Sequence, residues 1–312
     1  MDYISISEAA KKWQLTEQTV RRFCREGRIA NVTQNGRAWL IPKEADKPGK
    51  VQEKKKPTIV TPKFVRKVQR QKKKRSYHGL YDYIQVQLTY SSCRMASNRL
   101  TRKQINSIFK TGKAKESFEP VKVSDFIEVL NHIACVDYII DHAMEPISQK
   151  FIKKLHEMLM SGTVDSRNDL VVPGTYRPAE YQRPDRNLSP ASTIPQSMTE
   201  IIKEYEALDE VEISDILNFH VEFEMISPFK DGNGRIGRLI MFKECMRHAI
   251  TPFIFDDKHR ADYLTGIKKW TSRRKLFIQA VESAQEYFQN KIDFYELDEH
   301  GQQFLPEGYS NE

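Results

Sequence analysis

The order of apolar and polar positions predicts a chain that is mainly helical. Apolar residues recur every three or four positions in several segments, among them residues 123–144, 148–160, 198–208, 239–249 and 276–290. This spacing places apolar side chains on one face of a helix. Prolines interrupt it at residues 173–195, which indicates a loop of the kind that often faces a substrate. We expect one helical domain at residues 76–300 and a loose tail at residues 301–312.

A shorter pattern occupies the first 48 residues. Ser7 is placed to cap a first short helix, and Thr16 and Gly27 delimit a second. Asn35-Gly36 lies between two short runs of extended character, which is a strong signal for a two-residue hairpin. Residues 1–48 are therefore predicted to form two helices joined by a tight turn, followed by a small hairpin wing.

The second of these helices is predicted to carry a cationic face. Val20 and Phe23 lie on its apolar side, whereas Arg21, Arg22 and Arg25 lie on the opposite side. Arginines that share one helix face suit the phosphates and base edges of DNA. The three arginines are our candidate DNA-binding residues.

Two segments, Glu8-Ala9-Ala10 and Gly27-Arg28-Ile29, resemble parts of the winged helix-turn-helix domains of the MerR and excisionase group. The resemblance implies that residues 1–48 bind DNA. The alternative is a small module of helices and a hairpin that binds protein instead.

Positive charge is concentrated in the front part of the chain. The formal net charge is +8, and residues 49–75 hold twelve Lys or Arg residues and one Glu. Because aromatic residues are also few there, the composition predicts a basic linker between two domains. A cationic N-terminal region suits a polyanionic partner, so the linker is a second candidate contact for DNA.

Composition indicates the number of domains, the compartment and the state of the cysteines. The 312 residues, 39% of them hydrophobic, provide for two or three domains. No apolar stretch is long enough to span a bilayer and no secretion signal is recognised, so we expect a cytoplasmic protein without a membrane partner. The four cysteines lack a paired metal spacing and are expected to be reduced thiols.

The candidate chemistry lies at Ser227–Arg238, which has the sequence Ser-Pro-Phe-Lys-Asp-Gly-Asn-Gly-Arg-Ile-Gly-Arg. Gly232 and Gly234 flank Asn233, so the backbone there is predicted to reach positive φ and to turn several amide N–H groups towards one point. Such a cradle binds anions.

Charged side chains occupy the same segment. Arg235 and Arg238 are one turn apart if a helix begins here, and their guanidinium groups would join the helix-terminal N–H groups in binding phosphate. Asp231 is placed to carry a hard cation such as Mg²⁺ to the same phosphates. The segment therefore predicts a site for a phosphorylated ligand.

Two other interpretations of this segment compete. Residues 232–237 satisfy G-x-G-x-x-G, with Asp256 near the place of a ribose-binding acid, as in dinucleotide folds. Against this, residues 228–231 separate the first glycine from the alternating run before it, and strands and helices do not alternate upstream. The second interpretation is a plain turn whose arginines pair with carboxylates.

The segment resembles the signature of the Fic family, H-x-F-x-[DE]-G-N-G-R-x-x-R, at every fixed position except the first. Gly174, Tyr176 and Arg177 are similar to the G-x-Y-R of these domains, and His220 is similar to a histidine two helical turns before the motif. The resemblance covers about residues 80–290. It implies a mainly α-helical Fic-type domain after a small winged helix-turn-helix domain, an order that is also found in the family.

Fic proteins typically transfer AMP from Mg²⁺-bound ATP to a Ser, Thr or Tyr hydroxyl of a protein. The resemblance implies that Asp231 would hold Mg²⁺. The anion hole would be formed by Gly232, Asn233 and Gly234. Arg235 would bind the phosphates, and Arg238 would bind the γ-phosphate. Residues 178–195 would include the flap that aligns the target segment. The implied cofactor is ATP with Mg²⁺, and the implied partner is a target or regulatory protein, while a homo-oligomer stays open.

Position 227 departs from the family. Fic domains have a histidine there that acts as general base on the target hydroxyl, whereas the hydroxyl of Ser227 cannot accept that proton near neutral pH. Loss of such a group typically lowers a rate by about 10² to 10⁴. The prediction is a catalytically impaired, ATP-binding regulator coupled to DNA binding. Two alternatives remain: a slow or unusual nucleotidyl or phosphoryl transferase, and a DNA-binding adaptor that does not bind nucleotide.

A second departure lies in residues 90–101, which resemble the inhibitory helix [ST]-x-x-x-E-[GN] of many Fic proteins. Ser92 matches its first position, but Ala96 replaces the glutamate that pairs with the last arginine of the motif. The restraining carboxylate is therefore missing, as is the base that it restrains.

Overall fold

The structure is a computed structural model of the chain. It describes residues 2–35, 38–48, 62–75, 78–113, 121–167, 171–179, 181, 190–255 and 259–297. The chain divides into two compact units after Lys56, and each is treated by itself. Within the described ranges, no helix combines the length and the hydropathy that a membrane crossing requires.

The N-terminal unit consists of two short helices and a small antiparallel sheet. Its elements are β1 (Tyr3–Ile4), α1 (Ile6–Trp13), α2 (Glu17–Arg25), β2 (Thr33–Asn35) and β3 (Ala38–Pro42). The strand order is β1-β3-β2, and Asn35 pairs with Ala38 across the hairpin. The sequence predicted the two helices and the hairpin, but not β1.

Local capping explains where the two helices begin. The Ser5 side chain accepts a hydrogen bond from the Glu8 N–H, and the Glu8 carboxylate accepts one from the Ser5 N–H, so α1 is capped by Ser5 and not by Ser7 as predicted. The predicted cap of α2 is confirmed, since the Thr16 hydroxyl accepts from the Thr19 N–H. Gly27 follows α2 with φ at 65°.

Val20 and Phe23 are buried in the core of this unit, beside Trp13 and Ile41. Three arginines of α2 remain partly exposed, namely Arg21, Arg22 and Arg25. Arg22 lies 3.7 Å from the Glu26 carboxylate, one turn further along the helix. The amphipathic division of α2 is thus present, while binding of DNA stays a prediction.

The second unit is built from helices. These are α3 (Pro62–Lys74), α4 (Leu80–Met95), α5 (Arg102–Thr111), α6 (Val123–Asp141), α7 (Gln149–Met160), α8 (Val164–Arg167), α9 (Ile194–Glu206), α10 (Ile213–Ile226), α11 (Asn233–Arg247), α12 (Arg260–Lys268) and α13 (Trp270–Leu297). Half of the predicted flap (residues 180 and 182–189), the tail at 301–312 and residues 49–61 of the predicted linker lie outside the described residues.

α3 corrects part of the predicted linker. Three of its residues are buried in the core of the helical unit: Phe64, Val65 and Val68. On the same side, Gln69 donates to the carbonyl of Ile140, and the Lys72 ammonium lies 2.5 Å from the Asp141 carboxylate. Residues 62–74 are therefore a packed helix and not a linker. The prediction missed the helix because the basic composition outweighed three apolar positions at helical spacing.

α11 lies at the centre of the second unit. Residues 235–246 of this helix are all buried, and α11 packs against α3, α4, α6, α7 and α10. α10 precedes it in the chain and forms a helical pair with it. The candidate segment therefore joins two helices of the core, which hold its side chains in fixed positions.

Candidate functional site

Residues 227–232, which we call the motif loop, connect the end of α10 to the start of α11. Ser227 ends α10 in the left-handed region, with φ at 48° and ψ at 61°. Gly232 precedes α11 with φ at 83°, and a Cβ there would lie 3.3 Å from Cδ2 of Leu159. Gly232 is therefore required by both its backbone conformation and its close packing on α7.

Gly234 does not have the positive φ that the sequence predicted, because it lies inside the first turn of α11. A Cβ at this position would be 3.0 Å from Nη1 of Arg238 and 3.3 Å from Oε1 of Glu224. The glycine thus leaves room for the Arg238 guanidinium.

Asn233 fixes the motif loop through its side chain. Its Oδ1 accepts from the Phe229 N–H at 2.9 Å, and its Nδ2 donates to the Phe229 carbonyl at 2.8 Å. The first-turn N–H groups of α11 have no carbonyl one turn earlier in the helix, which makes them the natural donors for an anion. The role predicted for residues 232–234 would accordingly rest on their backbone.

His156 of α7, which was not identified from the sequence, packs against the motif loop. Its Nδ1 accepts from the Gly174 N–H at 2.9 Å, so the proton resides on Nε2, which donates to the Asp231 carbonyl at 3.2 Å. The ring stacks on Phe229 with centroids 3.8 Å apart. Burial lowers the pKa of His156 to about 4, which keeps the ring neutral.

Arg177, from the G-x-Y-R segment, holds the other side of the loop. Its backbone N–H donates to the Pro228 carbonyl and its Nε donates to the Ser227 carbonyl, each at 2.9 Å. The arginine is buried, and its contact with Ser227 lies 50 positions away along the chain. This segment therefore helps to set the backbone of position 227.

Arg235 is enclosed by two carboxylates. Its guanidinium is 3% exposed, with Nη2 at 2.6 Å from the Asp231 carboxylate and Nη1 at 3.3 Å from the Glu128 carboxylate of α6. Nδ2 of Asn98 donates to Glu128 at 3.2 Å. Burial acts to lower the pKa of Arg235, but the carboxylates of Asp231 and Glu128 outweigh it, so the pKa is raised. Such ion pairs also fit the plain-turn interpretation.

Arg238 has different partners. Its Nε donates to the Ser92 hydroxyl at 3.1 Å, its Nη2 to the Ser92 carbonyl at 3.0 Å, and its Nη1 to the Tyr263 hydroxyl at 3.1 Å. Ser92 lies in the last turn of α4, and Ala96 is exposed immediately after that helix. Residues 90–101, which the sequence aligns with a degenerate inhibitory helix, comprise the end of α4 and the turn after it, and Ser92 of α4 contacts the last arginine of the motif.

Position 227 offers no base. The Ser227 side chain is buried, and its hydroxyl has no hydrogen-bond partner among the described residues. Nε2 of His220 is 3.0 Å from the Tyr263 hydroxyl, and burial lowers the pKa of this histidine to about 3. His248 lies beyond the opposite end of α11, beside Glu244.

The donor set is suited to a cation that arrives with phosphates. Within the part of the chain that the structure describes, no three His, Cys, Asp or Glu side chains form a metal cluster. Mg²⁺ commonly takes one or two carboxylates, with phosphates and waters as its other ligands. The Asp231 side chain is 53% exposed and fits the part of that single carboxylate.

The dinucleotide interpretation of residues 232–237 is wrong. These residues open α11 after a loop that follows another helix, α10, whereas a dinucleotide site needs a strand before the glycines. Asp256 lies outside the described residues.

Residues 146–245 match the model of the Fic/DOC family. The chain is also 26% identical over 168 residues to a protein of Aquifex aeolicus (strain VF5) named "Probable protein adenylyltransferase", and the match covers 49% of each. The chain thus spans about half the length of this curated relative.

Three solved structures are similar in fold. A Fic domain containing signaling protein from Bacteroides thetaiotaomicron superposes with a TM-score of 0.59 at 16% identity, over 78% of this chain and 99% of that one. A fragment of Fic-1 from C. elegans gives 0.57 at 18% identity, over 76% and 73%. A Fic family protein from Desulfovibrio desulfuricans gives 0.52 at 21% identity, over 81% and 78%. The predicted helical Fic-type fold is confirmed, and residues 146–245 form a Fic/DOC domain.

Proposed function

We propose that this chain is a Fic protein that binds ATP with Mg²⁺, lacks measurable AMP transfer, and couples nucleotide binding to DNA binding. The observation that carries the proposal is Ser227, whose buried hydroxyl stands where the family has its general base. A serine of ordinary acidity does not accept a proton from a target hydroxyl near neutral pH.

The arrangement around α11 supports the phosphate-binding part of the proposal. The N-terminus of α11 provides N–H donors, while Arg235 and Arg238 provide two cationic forks on the same helix. Asp231 would hold Mg²⁺, which when bound neutralises phosphate charge. A ligand must compete with Asp231 and Glu128 for Arg235, and with Ser92 and Tyr263 for Arg238.

The DNA-binding part rests on residues 1–48. α1 and α2 are followed by a hairpin of β2 and β3, in the order of a winged helix-turn-helix. Arg21, Arg22 and Arg25 lie together on α2 and are the proposed contacts to DNA.

Nucleotide titration tests the first part. Calorimetry with ATP and Mg²⁺ should show binding by the wild-type chain and weaker binding by Arg235→Ala and Arg238→Ala. A wild-type chain that releases no heat of binding, and that does not differ from Arg235→Ala, would contradict nucleotide binding. The protein would then be the adaptor that does not bind nucleotide.

Labelled ATP tests the second part. The wild-type chain and Ser227→Ala should transfer no label to proteins of a cell lysate, whereas Ser227→His should transfer it because a base is restored. The Ala variant is the matched control, since it removes the hydroxyl without adding a base.

A slow or unusual transferase is the second candidate, because Asp231, Arg235 and Arg238 are all present in or beside the motif loop. Transfer of label by the wild-type chain that disappears in Asp231→Ala would establish it. Label that appears with Ser227→His but never with wild type would exclude it.

A further inference from the structure

One face of α3 is fixed to the helical unit. Phe64, Val65 and Val68 are buried, Nζ of Lys67 donates to the Tyr295 carbonyl at 3.0 Å, and Lys72 pairs with Asp141. These contacts hold the helix against α6 and α13. The direction in which its other face points is therefore determined.

The opposite face of α3 is uniformly cationic. Five exposed residues, which we call the cationic stripe, are Lys63, Arg66, Arg70, Lys73 and Lys74. Residues 62–75 contain no Asp or Glu. Among the residues that the structure describes, none of the five has an ion-pair partner.

The spacing of the stripe makes it continuous. At 100° per residue these positions fall within an arc of roughly 100°, and from Lys63 to Lys74 they extend about 16 Å along the helix axis. Like charges three and four positions apart repel each other on a helix. Ordinary exposed helices mix the two signs, as α7 does where Lys154 lies 3.0 Å from Glu157. A polyanion along the stripe would relieve the repulsion.

We infer that the cationic stripe binds the phosphate backbone of duplex DNA. A duplex presents a negative charge about every 1.7 Å along its axis, which matches a linear array of cations. The exposed face has no aromatic side chain on which unpaired bases could stack. An interfacial membrane helix needs a free apolar face, and that of α3 is buried in the protein.

The choice of DNA rests on the function proposed for residues 1–48. Residues 49–61 connect residues 1–48 to α3, so only 13 residues of chain separate the proposed DNA-binding unit from the helix that carries the stripe. A contact from the stripe carries no sequence information and attaches the Fic-type unit itself to the backbone. It adds a salt-dependent contribution to the DNA affinity of the whole chain.

The test uses the full chain and a duplex of arbitrary sequence, with the affinity measured at several salt concentrations. The stripe variant combines Arg66→Gln, Arg70→Gln and Lys73→Gln, all at exposed positions. The matched control combines Lys150→Gln, Lys203→Gln and Lys275→Gln, which removes the same charge from exposed positions elsewhere. We expect the slope of log affinity against log salt to fall in magnitude by about 2.7 in the stripe variant, and to keep its wild-type value in the control.

Two further arms separate this inference from the proposed function. If Arg21→Gln, Arg22→Gln and Arg25→Gln together leave the affinity unchanged, the proposed role of residues 1–48 fails, while the loss of slope in the stripe variant still supports the stripe. A stripe variant with the slope of wild type overturns the inference. Vesicles of phosphatidylserine that bind more tightly than the duplex at equal salt, and only when the stripe is intact, overturn DNA as the partner.

Discussion

Arg235 and Arg238 lie one turn apart on α11, but their surroundings differ. Arg235 is held by carboxylates from the motif loop and from α6, whereas Arg238 donates to the hydroxyl and carbonyl of Ser92 and to the hydroxyl of Tyr263. A guanidinium attracts a carboxylate by its full charge, whereas its hydrogen bonds to hydroxyl and carbonyl oxygens lack an opposite charge on the acceptor. Arg235 is therefore held by opposite charges, while Arg238 is held by hydrogen bonds that it donates to α4 and α12.

The largest expected effect follows from breaking the charged side of this comparison. Arg235→Ala leaves the carboxylates of Asp231 and Glu128 without their shared cation, and we expect it to lower the free energy of unfolding by about 3 kcal/mol. Arg238→Ala leaves neutral oxygens and is expected to cost about 1 to 2 kcal/mol. Urea denaturation of the two variants measures the difference. Equal losses would contradict the contrast between the arginines.

The contribution of His156, which contacts the Asp231 carbonyl, to the free energy of unfolding is expected to depend on pH. The pKa of His156 is lowered to about 4 by burial, so the unfolded chain binds this proton more readily than the folded chain. Its contribution to stability is complete above about pH 6.5 and declines as the pH falls from there towards 4, by about 1.4 kcal/mol per pH unit. In His156→Gln the free energy of unfolding should fall less steeply over this window. A profile as steep as that of wild type would assign the acid sensitivity to other groups.

Glu128 is expected to determine how easily Asp231 can turn to a cation. With both carboxylates present, Arg235 would keep one charged partner if Asp231 bound Mg²⁺ as proposed. In Glu128→Gln the same event leaves a buried guanidinium unpaired, so we expect about a tenfold weaker dependence of ATP affinity on Mg²⁺, or about 1.4 kcal/mol. Calorimetry at varied Mg²⁺ measures it. Glu157→Gln, at an exposed carboxylate that pairs with Lys154, is the matched control and should behave as wild type.

The smallest effect concerns Ser92. Ser92→Ala removes one of the two hydrogen bonds between α4 and Arg238 and should destabilise the protein by about 1 kcal/mol or less. Because it also removes a competitor for that guanidinium, ATP should bind a few times more tightly, as measured by calorimetry. Ser97→Ala, in the exposed turn after α4, provides the control. Weaker ATP binding by Ser92→Ala would mean that Ser92 orients Arg238 for the ligand and does not compete with it.

Much of the fold was accessible from local patterns. Apolar spacing predicted the main helices, and the Thr16 cap was predicted at the residue where it occurs. α3 was missed because twelve basic residues between positions 49 and 75 dominated the composition and concealed three apolar positions on one face. Gly234 was assigned a positive φ because glycine permits it, although the structure uses this glycine for space.

The sequence by itself determined the identity of the motif. Ser227, Asp231, Arg235 and Arg238 are close in the chain, so one loop and one helical turn were enough to group them. The departure of Ser227 from the histidine of the Fic signature was also visible in the sequence.

Only the tertiary structure decided which groups each of them meets. The partner of Arg238 in α4 lies 146 positions away, and His156 reaches Asp231 across 75 positions. Helical periodicity tells which side of a helix is buried, but it does not tell which residue of another helix packs there. The choice of Glu128, Ser92, His156 and Tyr263 as partners therefore depended on how the helices pack: His156 contacts the Asp231 backbone, and the other three contact the two arginines.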